Sequence, residues 1–133
     1  EVVDALAFLT ADGAEALDKL IAARRWDIHK DPFEDEAAFR QYIQRTSGNL
    51  IDVGIRALGG IPNDATNAIG YAAGLARYLV AVPDLEARGR VPLLDGRAEA
   101  VAGLASKALA AWPSRPDIAM PARAAAARLF IAA

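Results

Sequence analysis

The sequence contains no cysteine and one histidine, His29. The absence of cysteine excludes disulfides and thiolate metal sites, and a lone imidazole excludes a metal site built on a pair of histidines. Any metal would therefore need carboxylate ligands. A chain without cysteine suits a reducing compartment, which fits a cytoplasmic location.

Excess charge of either sign is also missing. The 133 residues include 15 Lys and Arg and 17 Asp and Glu, which gives a formal net charge of −2. No strong positive field is available to attract nucleic acid, so we expect no nucleic-acid partner. The longest apolar stretch, residues 68–82, is interrupted by Arg77 and is too short to span a bilayer, so it predicts a buried helix.

Hydrophobic residues make up 54% of the chain, and β-branched residues nowhere alternate strictly with polar ones. Helical spacing of apolar residues instead predicts an all-α protein of five or six helices, in one domain over residues 1–133. The predicted helices cover residues 14–28, a segment from Asp35 to the glycines at 59 and 60, a segment capped by Asp64 and ended by Pro83, residues 98–112, and residues 121–133.

Apolar residues at helical spacing predict the buried faces of the two central helices. In the helix that follows Asp35 they are Phe39, Ile43, Leu50, Val53 and Leu58, with a local interruption at Ser47 and Gly48. In the helix that follows Asp64 they are Ile69, Ala72, Ala73, Ala76 and Leu79.

Three short motifs carry a family resemblance: "ARRWD" at 23–27, "DPF" at 31–33, and Tyr42 followed by "TSGNL" at 46–50. With these motifs the chain resembles the squalene/phytoene synthase family, particularly the branch that includes the mitochondrial complex I assembly factor. The resemblance is good over residues 15–95 and looser elsewhere. It implies a helical bundle that forms part of an isoprenoid synthase fold, without the family's N-terminal helices.

Working members of this family condense two prenyl diphosphates head to head. Two Asp-x-x-x-Asp motifs on facing helices hold magnesium, because carboxylates four residues apart share one helix face. When the second motif is aligned through Gly89 and Arg90, its Gln, Asn, Arg and two Asp positions fall on Gly74, Arg77, Val80, Ala81 and Leu85. The resemblance therefore implies no catalytic residue, no metal ligand and no cofactor in this chain.

The apolar framework of that helix persists as Leu75, Leu79 and Val82. Arg77 is the one residue that would compensate for the missing aspartates, by binding a diphosphate directly. The alternative is an ordinary surface arginine. The candidate ligand-binding residues are Arg77, Tyr42, Ser47, Gly48, Gly74, Tyr78 and Ala81.

Three functional hypotheses follow. The first is a non-catalytic family member that binds a prenyl or lipid ligand, or assists assembly of a membrane respiratory complex at the periphery of the inner membrane. The second is a prenyltransferase whose motifs are displaced, which would need magnesium. The third is a helical protein-interaction module without a ligand. Apolar surface left uncovered by missing helices also predicts self-association.

Overall fold

The computed structural model describes residues 10–29 and 31–112, and over these residues it is helical and contains no strand. The predicted all-α class is confirmed. The predicted helix at 121–133 lies outside the described residues. The helices are α1 (Ala11–Arg24), followed by a 3₁₀ turn (Arg25–Ile28), α2 (Glu36–Ile43), a π-helical segment (Gln44–Gly48), α3 (Asn49–Ala57), α4 (Asp64–Ala87) and α5 (Ala98–Ala110).

Side-chain caps fix where the first two α-helices begin. The Thr10 hydroxyl accepts the Gly13 N–H at 3.3 Å, so α1 begins at Ala11, three residues before the predicted start. Asp35 caps α2 as predicted, because its Oδ1 accepts the Ala38 N–H at 2.7 Å. Both bonds satisfy N–H groups that have no partner inside a helix.

The predicted bounds of α4 are wrong at both ends. Asn63 rather than Asp64 is the cap, since its Oδ1 accepts the Thr66 N–H at 3.1 Å while the Thr66 hydroxyl accepts the Asn63 N–H at 2.8 Å. Pro83 lies inside the helix, which continues to Ala87. Proline removes one backbone donor, but the next turn still packs against the core through Leu85. The chain then leaves the helix through Gly89, which has a φ of +74°.

The π-helical segment changes which residues of α3 are buried. A π turn adds one residue to the helix, so every later side chain rotates away from its expected direction. Leu50 and Leu58, predicted to be buried, are 41% and 42% exposed, whereas Ile51 and Ile55 are 6% and 1% exposed. The predicted burial of Val53 is confirmed.

Helix α4 lies at the centre of the fold and packs against α2, α3, α5 and the π-helical segment. Leu75 and Tyr78 point into the core, while Ala76 and Arg77 are exposed. The prediction that Ala76 is buried is therefore wrong, because the neighbouring helices cover the opposite side of α4.

Aromatic rings form the part of the core that joins α1, α2 and α4. Trp26 and Phe33 stack with ring centroids 4.1 Å apart, and Phe33 lies 5.3 Å from Tyr42. Phe39 meets Tyr78 edge to face at 5.2 Å. We call these five residues the aromatic cluster. Because Trp26 and Phe33 flank the turn after α1, the cluster fixes the end of α1 against α2 and α4.

Candidate functional site

Gly74, Tyr78, Ala81 and Leu85 follow one another at helical spacing and form one face of α4, here called the inner face. Gly74 and Tyr78 are buried, and Ala81 and Leu85 are partly buried. Leu85 also packs against the core. The two positions that align with metal-binding aspartates therefore lie on the packed side of the helix and carry apolar side chains.

The inner face touches the π-helical segment directly. A Cβ atom added to Gly74 would lie 2.4 Å from the Ser47 Cβ, and one added to Gly70 would lie 2.9 Å from the Gly48 Cα. Real Cβ atoms do not approach other carbons this closely, so only glycine fits at these two positions of α4. The predicted ligand-binding residues Ser47, Gly48 and Gly74 thus lie at a helix–helix contact.

Tyr42 is buried and belongs to a hydrogen-bonded group at the end of α1. Its hydroxyl donates to Asp27 Oδ1 at 2.7 Å, and Arg24 donates to Asp27 Oδ2 at 3.0 Å and to the Tyr42 hydroxyl oxygen at 3.2 Å. Burial, with the Asp27 hydrogen bond as a second cause, raises the pKa of Tyr42 well above its usual value. The phenol therefore stays protonated and holds the 3₁₀ turn against α2.

Tyr78 is likewise engaged in the fold. Its hydroxyl donates to the Pro92 carbonyl oxygen at 2.9 Å, and its ring lies 6.0 Å from the Tyr42 ring. Burial raises the pKa of Tyr78 to about 12. The bond attaches the segment after α4 to the middle of that helix.

Arg90 connects the segment after α4 to the end of α1. In the sequence it served only to align the family motif. Its guanidinium donates to the carbonyl oxygens of Trp26 at 3.0 Å and Asp27 at 3.2 Å, and to that of His29. The same group lies 4.3 Å from the Trp26 ring centroid. Arg90 thus binds the carbonyl-rich end of the 3₁₀ turn and fixes the segment after α4 against the segment after α1.

Arg77 is exposed on α4, one helical turn before the partly buried Ala81. Val80 is also exposed, at 82%. Tyr42, Ser47, Gly74 and Tyr78 lie in the interior, so the structure does not bring Arg77 together with them. A contact between Arg77 and a diphosphate stays a prediction, now for a surface side chain.

The side chains of this site do not fit magnesium. Over the described ranges 10–29 and 31–112, no group of three or more His, Asp or Glu residues could hold a metal ion. Ala81 and Leu85 offer no ligand atoms, and Asp84 is exposed, away from the inner face. A mechanism that passes through a bound metal therefore has no ligands in this part of the chain.

Sequence analysis missed a second group of polar residues, between α2, α4 and α5. Arg40, Gln44, Asn67, Tyr71 and Lys107 line a cleft there of about 200 Å³. The Arg40 guanidinium carbon lies 4.4 Å from the Tyr71 ring centroid. These residues come from three α-helices and the π-helical segment, and no short motif links them.

None of the described helices is both long enough and apolar enough to cross a membrane.

The architecture is that of an all-α protein, with an apolar inner face where the family resemblance places a metal site. The squalene/phytoene synthase family model matches residues 7–130, and the chain belongs to that family. No curated protein matches the chain, and no solved structure does.

Proposed function

We propose that this chain is a squalene/phytoene synthase family member that does not transfer prenyl groups and works as a binding protein for a prenyl or lipid ligand. The observation that carries the proposal is the chemistry of the inner face of α4. Ala81 and Leu85 stand at the aligned aspartate positions, and Leu85 packs against the core.

Ionisation of a prenyl diphosphate places negative charge on its leaving group. Metal ions normally neutralise that charge, and without them the barrier is several kcal/mol higher. Arg77, the basic residue that the alignment offers in place of the aspartates, is exposed to solvent. The chemistry of these residues therefore favours binding over turnover.

The direct test incubates the full chain with farnesyl or geranylgeranyl diphosphate and magnesium and measures released diphosphate. We expect release at the rate of the protein-free control. Magnesium-dependent release in proportion to protein concentration, abolished by EDTA, would contradict the proposal and support the prenyltransferase hypothesis.

Binding is tested separately, by calorimetry with the same diphosphates in EDTA. We expect binding that does not need magnesium. If Arg77 holds the diphosphate, Arg77→Met will weaken binding, whereas Arg88→Met, an exposed arginine at the C-terminal end of α4, will not. Equal binding by both variants would exclude the Arg77 contact.

A protein-binding role is the second candidate, and exposed apolar side chains favour it. Ile28 is 78% exposed, Ile61 84% and Leu109 71%. Single exposed apolar residues are ordinary, and those that join into a contiguous patch mark interaction surfaces. Assembly of a membrane respiratory complex belongs to this candidate. It predicts a stable complex with a partner protein and no affinity for prenyl diphosphates or lipids.

A further inference from the structure

Two clefts meet alongside α5 and differ in chemistry. The polar cleft contains Arg40, Gln44, Asn67 and Tyr71. The other has a volume of about 360 Å³, within the range of roughly 300–1,000 Å³ typical of ligand pockets. Its lining is mainly apolar, with Phe39, Leu93, Leu94, Val101 and Leu104. Glu36, Leu104 and Lys107 line both clefts, so the two clefts are adjacent, and we call them together the groove.

The polar end of this groove carries both signs of charge. Arg40 and Lys107 supply two cations, and Glu36 and Asp64 supply two carboxylates. The Lys107 Nζ lies 3.8 Å from Glu36 Oε1, in a pair whose side chains are 76% and 68% exposed. So long and exposed an ion pair contributes little to stability, which leaves both groups available to a ligand.

Arg40 is positioned by Tyr71, because its guanidinium lies 4.4 Å from that ring centroid. A guanidinium has five N–H donors, so one that contacts Tyr71 still has donors for a phosphate oxygen. At the apolar end, Asp95 is bound by its neighbour Arg97 at 2.7 Å and is not available to a ligand. Charge is therefore concentrated at one end of the groove.

We propose that this groove binds a zwitterionic amphiphile, with its apolar chain along Phe39, Leu93 and Leu104 and its head group at the polar end. Arg40 and Lys107 take the phosphate oxygens, and Glu36 and Asp64 take the ammonium group. An anionic head group would meet the same two carboxylates and be repelled by them. The inference rests on the proposed binding role but does not depend on the absence of turnover.

The test uses the full chain and three probes with the same dodecyl chain, each below its critical micelle concentration: dodecylphosphocholine, dodecyl phosphate and dodecyl maltoside. Calorimetry measures each Kd. We expect dodecylphosphocholine to bind at least tenfold more tightly than either other probe. Arg40→Met and Lys107→Met should each weaken that binding about tenfold, a loss typical of one charge-assisted hydrogen bond.

Lys19→Met is the matched control, since Lys19 also forms an exposed ion pair, with Glu15 at 2.6 Å, but on α1. It should leave the Kd unchanged. Tighter binding of dodecyl phosphate would overturn the zwitterion assignment, and equal Kd values for all three probes would reduce the groove to an apolar surface. No binding of any probe would overturn the proposal. Magnesium-dependent prenyl transfer would contradict the proposed function and leave these results unaffected.

Discussion

The two halves of α4 face different surroundings. In the C-terminal half, residues 74–87, the inner face meets Ser47 and the aromatic cluster, and polar groups there, such as the Tyr78 hydroxyl, are engaged within the fold. In the N-terminal half, residues 64–73, Asp64, Asn67 and Tyr71 line a cleft that is open to solvent. The inner face of the C-terminal half, which aligns with the family's metal-binding motif, is thus a packing surface. In the N-terminal half Thr66, Ile69 and Gly70 are also buried, and only one side lines the open cleft.

When α4 is aligned with the family motif, apolar side chains stand at the positions of the metal-binding aspartates, and the helix lies at the centre of the fold. Removing buried carboxylates eliminates their desolvation penalty, and apolar side chains then stabilise the helix by burial. Charged groups on the other half remain partly in water and carry no such penalty. Substitutions on the inner face should therefore change stability, and substitutions of the side chains that line the cleft should change binding.

The largest effect is expected from Leu75→Ala. Leu75 is 1% exposed in the core, and truncating such a side chain removes buried methyl groups and leaves a cavity. Urea denaturation should show a loss of about 3 kcal/mol. The control Leu109→Ala removes a side chain that is 71% exposed and should change stability by less than about 0.5 kcal/mol. A loss below about 1 kcal/mol for Leu75→Ala would indicate a loosely packed C-terminal half.

Gly74→Ala tests the contact with the π-helical segment. The new Cβ would stand 2.4 Å from the Ser47 Cβ, so α4 must shift, at a cost of about 2 kcal/mol. In α5 the equivalent change, Gly103→Ala, meets nothing within 4 Å and should stabilise the helix by about 0.5 to 1 kcal/mol. A lower midpoint of thermal unfolding for Gly74→Ala and a higher one for Gly103→Ala would confirm the contact. Stabilisation by both variants would show that the helices do not touch at Gly74.

Much of the fold was predictable, because the helical periods and the Asp35 cap are local signals. The register of α3 was not, since it depends on the π turn, which lies where Gly48 meets Gly70 of α4. Pro83 was misleading for a related reason. A proline disturbs a helix locally. The packing of Leu85 against the core, beyond Pro83, is a tertiary contact that the local sequence does not reveal.

For the candidate site, the sequence predicted only which residues align with the family's second aspartate motif. Burial of Tyr42 and Tyr78 requires knowledge of which helices meet, and so does the outward direction of Arg77. The Arg40–Tyr71 contact joins residues of two helices that are distant in sequence. A single sequence offers no signal for such a pair.

Tyr78→Phe should have a smaller effect, through loss of the hydrogen bond to Pro92. The hydroxyl donates at 2.9 Å in a buried setting, so we expect a loss of about 1 kcal/mol at neutral pH. The pKa of Tyr78 is about 12 in the folded chain, above the ordinary value of 10.0. The unfolded chain therefore releases this proton first, and the Tyr78 contribution to stability is lost as pH rises from about 10 to about 12.

Removing the hydroxyl removes that contribution, so the midpoint of thermal unfolding should fall less steeply above pH 10 in Tyr78→Phe than in the natural chain. Burial also raises the pKa values of Tyr42 and Tyr71, so these two phenols contribute to the slope that remains. If the unfolding midpoints of the two proteins fell equally steeply with pH, water would reach the Tyr78 phenol. The C-terminal half of α4 would then be less buried than its contacts indicate.

Arg40→Met should change stability least. The guanidinium is exposed and contributes through the Tyr71 ring, an interaction of about 0.5 to 1 kcal/mol at an exposed site, and the methionine side chain can retain part of that contact. Urea denaturation should therefore show a loss below about 1 kcal/mol. A loss of stability as large as that of Leu75→Ala would make Arg40 a structural residue. Its contact with Tyr71 would then stabilise the fold as the inner face of α4 does.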